Sequence, residues 1–329
     1  MLNIPNKMLA FIGSVLILLV GLCCVRIGNA QTISGDGLTA SRAGDGVLIT
    51  EGGDSILFYQ MAPRSYRGEY TRSNYIHPLW GLSGEVLTED FPKDHLHQRG
   101  IFWAWHQVYV NGKRVGDQWE LEDCRWDFKK ITIDRNGLPE SIAIQAEVLW
   151  MSPGWTDAQG EQVPFVKETT TIEVHRRQPD LRKIDFTIEL RALDGHVKIG
   201  GSEDVKGYGG FSARIRLPKG IRFTGTSGAV TPENTAVQAG PWVDFSGSFI
   251  EESVSGITIF THPSLPNFPP PWILRSEASM QNPVFPGRAP VAVPTESPLT
   301  LRYRLVLHAG GPDTINPDSL QAEYSTLVE

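Results

Sequence analysis

VYVNGKRV, residues 108–115, decides how the rest of the chain is read. Asn111 and Gly112 accept the positive backbone angles that a two-residue hairpin turn demands, and β-branched or aromatic residues flank them. The spacing predicts a hairpin. Working outward, strand signals recur at short spacing over Val47 to Thr50, Ser55 to Gln60, Ile101 to Val110, Ser141 to Met151, Thr169 to His175, Lys183 to Arg191, Phe211 to Leu217, Gly256 to Thr261 and Leu299 to His308. Sustained helical periodicity is almost absent. The expected fold class is therefore all-β, a large antiparallel β-sandwich formed as one domain by residues 31–329. The 33 glycines and 23 prolines are spread between strands instead of pooled in one linker. In HPSLPNFPPPWILR, residues 262–275, four prolines between Pro266 and Pro271 lack a backbone donor, so a ladder cannot run there. A stiff loop ending in Trp272 and Arg275 is expected, either a wall of a binding cleft or a plain crossover.

The first thirty residues read as a targeting segment. Lys7 precedes an uncharged run from Met8 to Val25, and Gly28, Asn29 and Ala30 place small residues before a cut after Ala30. An uncleaved membrane anchor is the alternative. Leu22 before Cys23 is bulkier than a lipid-modified cysteine usually accepts. Export to the periplasm or beyond follows, with membrane contact only through this segment if it is retained.

The whole chain carries 30 basic and 37 acidic residues. Removing Lys7 and Arg26 leaves 28 against 37, a net charge of −9. Such a surface disfavours nucleic acid as a partner. Cys124 is the one cysteine beyond the targeting segment, so stability rests on burial without an intrachain disulfide.

The strand before the hairpin emerges from DFPKDHLHQRGIFWAWHQ, residues 90–107, which holds three histidines, two aspartates, an arginine and two tryptophans. A core has little use for such groups, since each buried polar atom must find a partner or cost about 1–3 kcal/mol. In an extended segment His95, His97 and Arg99 share one side. Two readings follow. The pair could hold a divalent metal if a third ligand arrives, with His106 or His77 nearest in sequence; no carboxylate follows closely, and Arg99 would repel a cation. Otherwise His95 and His97 act as an acid/base pair on a sugar, with Arg99 clamping a hydroxyl or oxyanion. No cofactor is called for by this second reading.

Trp103 and Trp105, with Trp119, provide faces on which a pyranose could stack, although such rings also fill cores. Ile101, Trp103 and Trp105 share one side of the strand, and Phe102, Ala104 and His106 the other. GGSEDVKGYGGF, residues 200–211, adds Asp204, Lys206 and Tyr208 on a glycine-rich loop without the order of a phosphate-binding fingerprint. GDQW at 116–119 and WVDF at 242–245 pair carboxylates with tryptophans, a composition found both in sugar subsites and at strand ends. Glu168, at the start of VKETTTIEV, is a candidate carboxylate partner for the histidines. GxSxG, HExxH and CxxC patterns do not occur, which disfavours acyl transfer, zinc proteolysis and thiol redox chemistry.

SNYIHPLWGLSGEVLTEDFPKDHLHQRGIFWAWHQ, GDQW, KGYGGFSAR, WVDFSG, the proline-rich stretch and NPVFPG occur in this order from about Tyr66 to His308. In them the chain resembles the secreted bacterial proteins called the PmoA family, a domain of unknown function. That label belongs to a methane monooxygenase subunit that crosses a bilayer several times, and one apolar segment cannot do so. The resemblance implies a sandwich similar to the galactose-mutarotase-like supersandwich and an association with carbohydrate breakdown. Where the family usually has a further histidine, this chain has Gln98, which cannot carry a proton at neutral pH.

The expected activity is acid/base chemistry on a sugar or glycoside, as hydrolase, lyase or isomerase. His95, His97, Arg99, Glu168 and Asp204 would be catalytic, and Trp103, Trp105, His106, Lys206, Tyr208, Trp119, Trp272 and Arg275 would bind a small sugar or oligosaccharide. A non-catalytic carbohydrate-binding protein is the rival.

Overall fold

Val166–His175 shows in miniature how the chain is built. Its side chains alternate between buried and half-buried along all ten residues, so Val166, Glu168, Thr170, Ile172 and Val174 face inward. Period-two burial of this kind puts one face of a strand on a core. A computed structural model describes residues 33–35, 37–134, 140–193, 195–251 and 253–327, so the targeting segment expected at residues 1–30 lies outside the described residues.

Val166–His175 belongs to a nine-stranded antiparallel sheet in the spatial order Arg125–Asp134, Ser141–Met151, Val166–His175, Leu181–Ala192, Leu299–Ala309, Ser253–Thr261, Trp242–Ile250, Lys219–Gly225 and Gly228–Ala229. A seven-stranded sheet runs Ile33–Gly35, Leu38–Ala43, Gly46–Glu51, Asp54–Gln60, Tyr75–Leu79, Ile101–Trp105 and Gly209–Ala213. Their inner faces meet in one apolar core. Phe211 lies 5.1 Å from Phe186 and 4.6 Å from Tyr303 between ring centroids, and Trp105 lies 5.6 Å from Trp150. The fold is an all-β antiparallel sandwich, as the strand spacing predicts. Each large side chain buried there contributes about 1.5–3 kcal/mol relative to exposure.

A third, four-stranded sheet orders Lys113–Gly116, Gln107–Val110, Val197–Gly200 and Val291–Ala292. Its first two strands are the expected hairpin, with Asn111 at φ 51° and Gly112 at φ 80°. The strand expected over Ile101 to Val110 is broken at His106, where the chain passes from the seven-stranded sheet to the four-stranded one. The helix Pro317–Ser325 closes the described chain and has no counterpart in the sequence reading. No described helix is long and apolar enough to cross a membrane.

Candidate functional site

Ile101–Trp105 is buried on both sides. Ile101, Trp103 and Trp105 enter the core between the sheets. Phe102 and Ala104 face the other way, into a cluster with Tyr75, Trp119 and Met280, against which Tyr208 packs. His106 follows on this outer side. The segment after the hairpin folds back over the strand end, where the Gln118 amide donates to the Trp105 carbonyl at 3.0 Å. That return brings Asp117 beneath the imidazole. Asp117 Oδ2 lies 3.0 Å from His106 Nδ1 and accepts from Arg114 Nη2 at 3.2 Å, while Oδ1 accepts from the Trp119 and Glu120 amides at 3.0 and 2.9 Å. The His106 ring stacks on Trp119, with centroids 5.3 Å apart and planes inclined by 23°.

His95 and His97 lie on an irregular segment, not the extended one their spacing implied. The buried guanidinium of Arg214 shapes it, donating to Glu89 at 2.8 Å, Gln98 Oε1 at 2.9 Å and Asp94 Oδ1 at 2.6 Å. Asp94 Oδ2 then sits 3.0 Å from His95 Nδ1. Burial raises the Asp94 carboxyl, but hydrogen bonds from His95 and Arg214 prevail and hold it at about 2. The rings of His95 and His97 stand 5.7 Å apart and nearly perpendicular. His97 Nδ1 contacts Glu120 Oε2 at 3.3 Å. Burial, aided by repulsion from Arg72, His95 and His106, lowers the His97 imidazole to about 4. Burial also raises Glu120, against the attraction of His106.

All three histidines thus meet a carboxylate through Nδ1, and no described residue hydrogen-bonds any of their Nε2 atoms. For His95 and His106 the carboxylate is hydrogen-bonded at Nδ1, which favours the proton there and leaves the Nε2 lone pair outward, whereas the His97–Glu120 approach is an ion-pair contact without a hydrogen bond. The glycine-rich loop borders the same surface. Tyr208 packs on Trp119 with ring centroids 5.2 Å apart, and Arg275 and Lys206 lie 5.6 and 5.9 Å from the Tyr208 ring. Arg114 ties the two segments by pairing with both Asp117 and Glu203 at 3.2 Å.

Several expected residues do not join this surface. Arg99 is fully buried: it donates to Asp90, the Tyr75 hydroxyl and the Arg64 and Tyr70 carbonyls, and its guanidinium lies 3.5 Å from the Phe91 ring. It anchors the segment and cannot clamp a substrate. Glu168 is sealed in the inter-sheet core, on the far side of the strand from the histidines. Asn74, Trp103 and Thr170 donate to its Oε1 and Trp150 to its Oε2. Trp103, Trp105, Trp119 and Trp272 are at most 2% exposed, so none offers a free face for stacking. Trp105 and Trp272 spend their indole N–H on the Phe285 and Gly240 carbonyls.

Asp204 is turned into its own loop, accepting from the Ser202 hydroxyl and the Lys206 amide. Burial, the largest single influence, raises its carboxyl, but these donors and the Lys206 charge together outweigh it and lower it. Asp244, from WVDF, is buried against His308 at 2.6 Å in the nine-stranded sheet. Among the described residues the one set of three or more metal-ligand atoms within 4.8 Å is Glu173, His175 and Asp185, so His95 and His97 gain no third ligand in this geometry. Arg304 binds Asp185 through two nitrogens, at 2.6 and 2.8 Å, a poor neighbour for a cation.

The sequence reading missed Asp94, Glu120, Arg114 and Arg214, and noted Asp117 only within GDQW. An Asp two and three residues ahead of the amides it caps is the local signal that marks such a turn.

No curated protein matches the chain. Among solved structures, YeaD of Salmonella typhimurium, described as a "putative mutarotase", is similar at 12% identity and a TM-score of 0.33, covering 85% of this chain and 97% of its own. The family match spans residues 46–322 and carries no PmoA designation, and by it the chain belongs to DUF6807, a family of unknown function.

Proposed function

We propose that the protein is an exported carbohydrate-active enzyme whose histidines move protons on a sugar hydroxyl, in isomerisation at a ring carbon or glycosidic bond cleavage. The observation that carries this is the shared arrangement of His95, His97 and His106, each with a carboxylate at Nδ1 and a free Nε2. One such nitrogen, on a neutral imidazole, takes a proton from a hydroxyl, while a second imidazole, entering the step as imidazolium with its Nδ1–H held by its carboxylate, gives the Nε2 proton to the departing or ring oxygen; the two then exchange protonation states, and solvent restores them. Tyr208 and Lys206 border the same surface and supply hydrogen bonds to neighbouring hydroxyls, while Arg275, whose guanidinium donates to the Glu233, Leu274 and Asn234 carbonyls, lies against the Tyr208 ring. The test is turnover of anomerically pure sugars, followed by polarimetry, and of a glycoside panel, followed by chromatography. His97→Gln and His106→Gln should each slow the reaction by about 10²-fold or more. Rates equal to wild type would remove both imidazoles from the chemistry.

One observation favours a second reading, binding without turnover. An imidazole held at about 4 is a weak base near neutral pH, better suited to accepting a hydrogen bond than to removing a proton. Calorimetry that finds saturable sugar binding with the sugar recovered unchanged would select it.

A further inference from the structure

The strand Gln107–Val110 leaves the histidine surface at His106 and immediately forms the floor of a different cleft, of about 1010 Å³. That volume is on the scale of small-molecule sites, roughly 300–1,000 Å³. In the four-stranded sheet Tyr109 pairs directly with Lys198, and Lys198 with Ala292. Val108, Val110, Val197 and Ile199 point to the core, so Tyr109 and Lys198 stand side by side on the cleft face. Cross-strand neighbours of this kind have Cβ atoms about 4.5–5.5 Å apart.

The charge of the cleft is unlike that of the chain. Among 37 acidic residues, none of the described lining residues is a carboxylate, whereas Lys198 and His196 are both there. No described residue forms an ion pair or hydrogen bond with the Lys198 amine, in contrast to Arg114, the cation across Tyr109 on the hairpin, which is committed to Asp117 and Glu203. The remaining walls combine an apolar ring, Pro290, with the hydroxyls of Tyr109 and Thr295 and the amide of Asn111, whose Oδ1 accepts from the His196 amide at 2.9 Å.

We infer that this cleft is a second ligand site, which takes a sugar carboxylate of the uronic acid class. Lys198 holds the carboxylate, Tyr109 and Pro290 cover the C–H face of the pyranose, and Asn111 and Thr295 meet its hydroxyls. A lone exposed ammonium without an internal partner favours an anion and makes the interaction salt-dependent.

The test is calorimetry on the full-length protein at low ionic strength, with galacturonate and galactose as probes. Galacturonate should bind at least tenfold more tightly than galactose, and Lys198→Ala should abolish that preference with an unchanged melting temperature. Tyr109→Ala should weaken galacturonate binding, and Tyr109→Phe should retain most of it. Binding does not depend on turnover, so the Lys198 and Tyr109 readouts stand whether or not the acid/base reading holds. Equal affinity for the two sugars, absence of saturable heat with galacturonate, or an unaltered preference in Lys198→Ala would each overturn the assignment.

Discussion

Asp117 and His106 form the joint on which the outer surface turns: a carboxylate oxygen 3.0 Å from Nδ1, while its twin oxygen caps the two amides that place Trp119 under the same imidazole. The orientation of the ring and the conformation of residues 117–122 are therefore a single property. In Asp117→Ala the loop loses two amide caps and the Arg114 contact together, with an expected cost of about 2–3 kcal/mol. Urea denaturation measures this directly, and a change below about 0.5 kcal/mol would show that the loop is held by packing alone.

His97 makes stability depend on acid. Its imidazole is lowered to about 4 from an ordinary 6.5, chiefly by burial. Between those values the unfolded chain takes up a proton that the folded chain refuses. Its contribution to stability is fully present above about 6.5 and is lost as pH falls toward 4, by up to about 3 kcal/mol. His97→Gln should flatten the stability profile across that window and leave it unchanged above pH 7. A mutant profile parallel to wild type would contradict the neutral assignment, as would a resonance that disappears in His97→Gln, and so belongs to His97, titrating near 6.5.

Glu168 is a core residue despite its charge. It accepts from four donors, and burial, its largest influence, raises its carboxyl above the ordinary value. Glu168→Gln would aim an amide N–H at an indole N–H or at the Asn74 amide, costing about 2–4 kcal/mol. The expected readout is a lower denaturation midpoint with sugar binding unchanged in the folded fraction. Selective loss of activity without loss of stability would return Glu168 to the chemistry.

Arg99→Lys should destabilise by about 3 kcal/mol. An ammonium cannot reach Asp90, the Tyr75 hydroxyl and two carbonyls at once, nor lie flat against Phe91. Thermal melting of the two proteins decides it, and equal melting temperatures would mean that the charge alone suffices.

The fold was legible because strand periodicity is written locally. Ser141–Met151 coincides with its expected limits, and most other strands run only one to three residues beyond theirs. The site was half legible. His95, His97, His106, Lys206, Tyr208 and Arg275 do gather on one outer surface, though neither spacing nor composition states that two segments a hundred residues apart will meet. The errors share a cause. Arg99, Glu168 and the four tryptophans are functional residue types, and whether such a side chain faces solvent or the interior is settled by distant partners. For Glu168 a clue was present, because alternation places it on the same face as Val166, Thr170, Ile172 and Val174. Asp117, Asp94 and Glu120 escaped because an acidic residue acquires meaning only from the imidazole that folding brings beside it.

Because Ile101–Trp105 has no idle side, any exchange among its residues that suits one side disturbs the packing of the other. Tolerance to substitution should instead concentrate at exposed positions of the flanking loops, such as Lys93 and Val205, while the strand beneath them stays the same.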